Sequence, residues 1–280
     1  MANQLKQVAE YYDQTLPLYK TFWHRNKSYA DHYGYWEQRT RSLSEALINE
    51  NRFMADVLKI RSGSRILDAG CGIGGSSVWL AENFNVQVIG ITISKRQLEK
   101  AKELAKKRGL QGKVEFYLQD YLNTKFPDEH FDMIWACESV CYAKNKEDFL
   151  AEAYRLLKPR GKIVVADGFL LRDIKQSEEG IYNNFLDGFA LHNIAKAANF
   201  DKLMRQANFR HVKSWDKTEA VKPSSKIMHR RTLLLYPLVK AMYKLGLVSG
   251  VLFKNSLAGI AQYKLVKKGA AGHVVFYGQK

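Results

Sequence analysis

Residues 68–75 read DAGCGIGG, after the apolar run RILDAG (65–70) and ahead of a helical pattern. Glycine has no Cβ, so backbone here can approach a bound ligand closely and turn sharply into a helix N-terminus. Asp68, Gly70, Gly72 and Gly74 are therefore candidate binding residues, with a plain strand-to-helix turn as the structural alternative. A dinucleotide site would want G-x-G-x-x-G and an acid about 20 residues on. The next strand ends instead in GITIS (90–94), which disfavours a nicotinamide oxidoreductase. Glu138 is the second candidate, at the end of FDMIWACES (131–139). Ligands of open α/β sheets bind outside the carboxyl ends of the strands, so Glu138 is expected to face a reaction chamber. There it acts as a general base or steadies positive charge, and burial raises its pKa. The competing reading is a buried carboxylate satisfied by backbone or by His32. Tyr142, four residues on, can exchange a hydrogen bond in the same chamber or simply pack.

The elements that hold these residues alternate. Apolar runs at 65–70, 86–92, 114–120, 131–139 and 162–169 are separated by helical patterns, which argues for a parallel sheet with helices on both faces. Ser94 and Gln97 form a capping box ahead of a helix whose Leu98, Ala101, Leu104 and Ala105 share one face; Gly109 suits its C-terminal turn. Asn145 is expected to cap a helix to Leu157 that stops before Pro159 and Gly161. Residues 170–210 read as helical, and 211–218 and 273–280 as strands. Between those strands lies a basic, apolar stretch in which Pro237 is expected to start or break a helix.

The net charge of +16 is unevenly placed. Residues 201–280 hold 16 Lys and Arg against 3 acids, and no acid follows Glu219. Such a tail points to an anionic partner or a solvated face. Three cysteines, none in a C-x-x-C pair, fit a reducing cytosol. No metal-binding spacing is found, so no metal is expected. No apolar run is long enough for a membrane span, and MANQLKQVAEYYDQ lacks the apolar region of an export signal. The expected location is cytoplasmic, with peripheral contact to an anionic membrane surface as a reading of the basic third.

Taken in order, ILDAGCGIGG, GITIS, QDY, FDMIWACES and LKPRGKIVV resemble the motif set of class I methyltransferases that use S-adenosylmethionine. HYGYWE (32–37) is similar to the HHGYY/W segment of the tocopherol and sterol methyltransferases, a group related to cyclopropane fatty-acid synthases. Glu138-Ser139 with Tyr142 resembles that group's E-[AS]-x-x-H, with tyrosine in place of histidine. Thr92, Ile93 and Ser94 with Gln97 stand where most relatives carry an acid. LAGIAQYKLVKKG resembles the sterol methyltransferase C-terminus. The resemblance implies that Gly70, Gly72 and Gly74 make room for the methionine part of S-adenosylmethionine and that Asp68 faces its ammonium. It implies that Thr92, Ile93 and Gln97 take the ribose and adenine side, and that Asp120 and Tyr121 contact the adenine. Cys137, Tyr33 and Trp36 join the cofactor site, and Glu138, Tyr142 and His32 the catalytic one. An aromatic lid is implied from Tyr11, Tyr12, Tyr19, Phe22, Trp23, Tyr29, Tyr33, Tyr35 and Trp36.

The expected fold is a Rossmann-like, seven-stranded, mainly parallel sheet. It divides into a lid (1–60), a cofactor-binding core (61–218), a basic apolar cap (219–271) and a last core strand (272–280). The expected function is methyl transfer from S-adenosylmethionine to carbon or oxygen of a lipophilic small molecule, such as an isoprenoid, a sterol or a prenylated ring. N-methylation of a small amine is an alternative. Methylation of RNA is another, disfavoured because no N/D-P-P-Y segment or added RNA-binding module is present.

Overall fold

The computed structural model describes residues 2–18, 21, 23, 29–30 and 32–280, with side chains from Leu5 onward. Seven strands form one sheet in the order β3-β2-β1-β4-β5-β7-β6. They are β1 (Arg65–Ala69), β2 (Gln87–Thr92), β3 (Val114–Leu118), β4 (Phe131–Cys137), β5 (Leu157–Leu170), β6 (Arg210–Asp216) and β7 (Ala271–Gln279). Only β7 runs against its neighbours. Successive strands go outward from β1 to β2 and β3, then return to β4 on its other side. That reversal opens a crevice at the carboxyl ends of β1 and β4.

Nine helices are described: α1 (Ala2–Leu18), α2 (Leu43–Leu58), α3 (Gly75–Phe84), α4 (Lys95–Lys107), α5 (Lys146–Leu156), α6 (Glu179–Gly188), α7 (Ala197–Gln206), α8 (Thr218–Lys244) and α9 (Gly250–Lys267). β4 is central, and Phe131, Met133, Ile134, Trp135 and Ala136 are all buried, since both faces of the sheet are covered. One face packs Leu58, Val78, Leu80 and Leu104 of α2, α3 and α4 against Ile66, Val88 and Phe116. The other packs Phe149, Leu150, Phe200 and Met204 of α5 and α7 against Leu67, Val165 and Phe276.

α2, α4 and α9 start at side-chain caps, whereas Asn145 stands at the N-cap of α5 without making a capping bond. Ser94 Oγ accepts from Gln97 N at 3.0 Å, and Ser42 Oγ from Glu45 N at 3.2 Å. α8 and α9, joined by a short turn, pack antiparallel between β6 and β7, with Tyr243 stacked on Phe253 at 4.4 Å. Pro237 neither starts nor breaks α8, which runs through it. The carbonyl of Leu233 loses its donor there, and Leu233 is exposed, so water can serve instead. α1 bridges α4 and α9: Ser94 Oγ donates to Asp13 Oδ1 at 2.5 Å, and Asn255 Nδ2 to Tyr11 Oη at 2.9 Å.

Candidate active site

A cavity of about 360 Å³ opens at the strand reversal. Its floor is the loop after β1. Gly70, Gly72 and Gly74 all have positive φ, at 95°, 54° and 85°. Their duties differ. A Cβ on Gly70 would sit 2.4 Å from Ser139 Cβ, so this glycine lets the ends of β1 and β4 close together. Ser139 Oγ completes that junction by donating to Ala69 O at 2.6 Å. Gly74 is not on the cavity wall: a Cβ there would meet Phe116 at 2.7 Å, so it packs α3 onto the sheet.

Asp68, buried, accepts from Ser77 Oγ at 2.5 Å. Burial, opposed by that bond, pushes its pKa up to about 6. Thr92 Oγ1 donates to Gln97 Oε1 at 2.8 Å, and both line the cavity with Ile93. Asp120 bonds the Leu122 amide at 2.9 Å in its own turn and still faces the cavity. Tyr121 Oη donates to Ser139 O at 2.8 Å. The donor set fits S-adenosylmethionine: a carboxylate for an ammonium, polar groups at the end of β2, and apolar Ile73, Ile91 and Ile93 beside them.

The other wall carries Cys137, Glu138, Tyr142 and His32. Glu138 is held at φ 46°, a strained left-handed conformation for a residue with a side chain. Its Oε1 accepts from Tyr33 N at 2.7 Å. It does not pair with His32; that imidazole instead donates from Nδ1 to Glu50 Oε2 at 2.8 Å, with Tyr33 O at 2.7 Å. Glu50, on α2, is completely buried. His273 Nε2, from β7, lies 3.3 Å from both Glu50 Oε1 and Glu138 Oε1, within ion-pair reach but out of line for a hydrogen bond. Two carboxylates and two imidazoles thus form one buried network.

The network sets its own protonation. Burial opposes charge on His32, but Glu50, by charge and hydrogen bond, outweighs it and raises the pKa to about 9. His273 is raised in the same way by Glu50 and Glu138. Burial and the nearby Glu50 push Glu138 up, against the pull of His273 and His32. Glu50, Glu138 and His273 bring ligand atoms within 4.8 Å of one another. His32 Nε2 is buried with no partner among the described residues, which leaves one donor for a bound molecule.

A second, smaller chamber of about 90 Å³ shares Tyr12, His32, Glu138 and Tyr142 with the first. Tyr142 sits on the turn Val140–Tyr142, with its ring 5.5 Å from Tyr12. Lys146, buried in the fold, pins that turn by donating from Nζ to Cys141 O at 3.0 Å and to Ala143 O. Tyr33 lines this chamber and not the cofactor cavity. Trp36 lines neither; its Nε1 donates to Ser224 Oγ at 2.8 Å, tying its segment to α8. Of the aromatic lid, Tyr12 and Tyr29 face the cavity, and Trp23 and Tyr35 are buried in the core. Tyr19 and Phe22 lie outside the described residues.

Three groups escaped the sequence reading: Glu50, His273 and Asp167. Asp167 is buried in β5, bonds the Cys141 amide at 2.8 Å and lines the second chamber. Glu50 did leave a signal. It falls on the buried stripe of α2 with Leu47, Met54 and Leu58, where an acid is out of place. His273 and Asp167 likewise interrupt otherwise apolar buried strands.

A Rossmann-like sheet with this cavity at its reversal, and these donors around it, defines a class I methyltransferase dependent on S-adenosylmethionine. Residues 1–215 match the family model described as mycolic acid cyclopropane synthetase, and the chain belongs to that family. It is 28% identical over 221 residues to the methyltransferase GfsG of Streptomyces halstedii, covering 78% of each chain. It is 30% identical to the chloroplastic tocopherol O-methyltransferase of Arabidopsis thaliana, covering 78% of this chain and 67% of that one. In fold it resembles the cyclopropane synthase MmaA2 of Mycobacterium tuberculosis, with a TM-score of 0.84 at 16% identity over 99% and 98% of the two chains. A geranyl diphosphate methyltransferase solved with its substrate and sinefungin gives 0.77 at 21% identity, over 99% of each.

Proposed function

We propose that this methyltransferase acts on a neutral, lipophilic small molecule, an isoprenoid or a prenylated ring, at oxygen or carbon. The observation that carries the reading is the second chamber. Phe185, Phe189, Leu191, Ile194 and Met228 make it apolar, Glu138 and Asp167 are its acids, and no Lys or Arg is among its lining residues. A phosphorylated acceptor would put anionic oxygens beside two carboxylates, with the imidazole of His32 as the one cationic group among the described lining residues. One relative is named for tocopherol, and the geranyl diphosphate enzyme supports an isoprenoid acceptor, though its own carries a diphosphate.

S-adenosylmethionine supplies an electrophilic methyl when bound. Asp68, Thr92 and Gln97 hold that cofactor on one side, and α1 closes over it to exclude water. Glu138 faces both chambers and takes the proton that a hydroxyl or acidic carbon must lose as the methyl arrives. His32, through its free Nε2, orients the acceptor or the cofactor carboxylate. If the acceptor is an alkene, Tyr12, Tyr33 and Tyr142 give an aromatic wall to the cation that forms. The two acids also favour a second reading, an amine acceptor whose positive charge they would attract. The same reading has the lipophilic acceptor taken from an anionic membrane surface.

The test is transfer of a labelled methyl to a panel of prenylated phenols, isoprenoid alcohols, small amines, phosphorylated isoprenoids and transfer RNA. Label in the neutral lipophiles supports the reading. Label confined to phosphorylated acceptors or RNA overturns it.

A further inference from the structure

Among the described residues, ten large apolar side chains stand exposed, and six of them fall between 233 and 247. Three of the six lie on one side of the helix, while Leu233 and Tyr243 face elsewhere and Leu247 lies beyond it. Leu234, Leu238 and Leu245 recur at spacings of four and seven, with Ala241 between, so they form one stripe along α8 and the turn after it. Leu234 is 81% exposed and Leu245 72%, so nothing among the described residues covers the stripe. The opposite side of α8 is the one that packs, through Tyr236 and Tyr243 on Phe253.

The charges around the stripe have one sign. Arg230 lies in line with it, and Lys226, Lys240 and Lys244 follow one edge, all exposed. Glu219 is the last acid of the chain. An apolar stripe edged by cations matches a membrane interface, where leucines enter the acyl boundary and lysines meet anionic headgroups. An interface with a second copy is a poorer match, because identical cationic edges would repel.

The stripe also has a place relative to the site. Met228, on the same helix, walls the acceptor chamber. Six residues separate it from Leu234, roughly 9 Å along the axis. We propose that α8 and the turn after it, through Leu234, Leu238 and Leu245 with Lys240 and Lys244, dock this enzyme on the surface of an anionic lipid bilayer, placing the acceptor chamber near the membrane. The proposal rests on the lipophilic-acceptor reading only for its purpose; the surface itself is tested without any acceptor.

The experiment is co-sedimentation with vesicles of phosphatidylcholine alone and of phosphatidylcholine with phosphatidylglycerol, with no cofactor or acceptor present. Binding to the anionic vesicles is expected to be stronger and to weaken with salt. Lys240→Ala with Lys244→Ala should lower the partition coefficient roughly 25-fold at low salt. Leu234→Ser with Leu238→Ser, both at exposed positions and so compatible with folding, should lower it by roughly tenfold or more. Absence of binding by the parent protein overturns the proposal, as does equal binding by the serine variant. So does a dimer in sedimentation velocity that the serine variant abolishes, since a second copy then covers the stripe.

Discussion

Glu50→Gln tests whether the buried network is held together by ionisation. Glu50 touches no cavity; it meets His32 at 2.8 Å and His273 at 3.3 Å. Raising His32 from 6.5 to about 9 corresponds to roughly 3 kcal/mol of preference for the charged imidazole in the fold. Because the folded pKa lies above the unfolded one, that stabilisation is complete below about pH 6.5 and is lost as pH rises through 9. Glutamine keeps the shape and removes the charge. The variant should therefore be about 3 kcal/mol less stable near pH 7, within the roughly 3–5 kcal/mol expected for breaking a buried pair. Against a total of about 5–15 kcal/mol, it should still fold. By pH 10 the parent's His32 has lost its proton, and the gap should narrow by most of that amount. Urea unfolding of both proteins at pH 6, 7, 8, 9 and 10 measures this directly. A gap that stays constant across the series refutes the argument, because it would mean that Glu50 contributes by shape and neutral hydrogen bonding alone.

Glu138→Gln should lower turnover about 10²–10⁴-fold while the cofactor dissociation constant, by calorimetry, changes only a few-fold; near-normal turnover would leave Glu138 as a structural carboxylate. Cofactor affinity should fall as pH drops below about 6, because Asp68 takes up a proton there and loses its attraction for an ammonium. Asp68→Asn should bind weakly and without that dependence; a flat profile in the parent protein would remove Asp68 from the ammonium site.

The sheet was legible because its signals are local. Each strand is a short apolar run ended by a polar or glycine turn, and Ser94 marks a helix start by accepting from Gln97 N; the return bond of the expected box is not made, because Gln97 Oε1 and Ser94 N both bond Thr92 Oγ1 instead. The cofactor cavity was legible for a related reason: Asp68, Thr92, Asp120 and Glu138 all sit at strand ends, and in this topology strand ends converge. What escaped lies in contacts between distant segments. Glu50 and Glu138 are 88 positions apart, and His273 comes from a strand that enters the sheet against the direction of its neighbours. Pairing of β5 with β7 sets Asp167 opposite Val274 and Gly168 opposite His273, and no local pattern announces that register. Trp36 was misplaced because proximity to His32 in sequence does not survive folding. The indole of Trp36 bonds Ser224 of α8 instead, a contact between distant segments that no local pattern announces.

The placement of these groups divides the site by origin. Cofactor contacts come from the first half of the sheet, where loops are short and their glycines are fixed by close approaches such as Gly70 to Ser139. Glu138 is backed by α2 and β7 through Glu50 and His273, neither of which lines the two cavities described. The proposed acceptor chamber is lined by α6, by the chain before α7 and by α8, and α6 and α8 both pack on α9. On the proposed function, changing Phe185, Leu191 or Met228 should alter which molecule fits without disturbing the network around Glu138. Changing Glu50 or His273 alters the base without altering the shape of the chamber. Selection for a new acceptor can act on the first set alone, which is a physical reason for one fold to serve acceptors as different as those of its relatives.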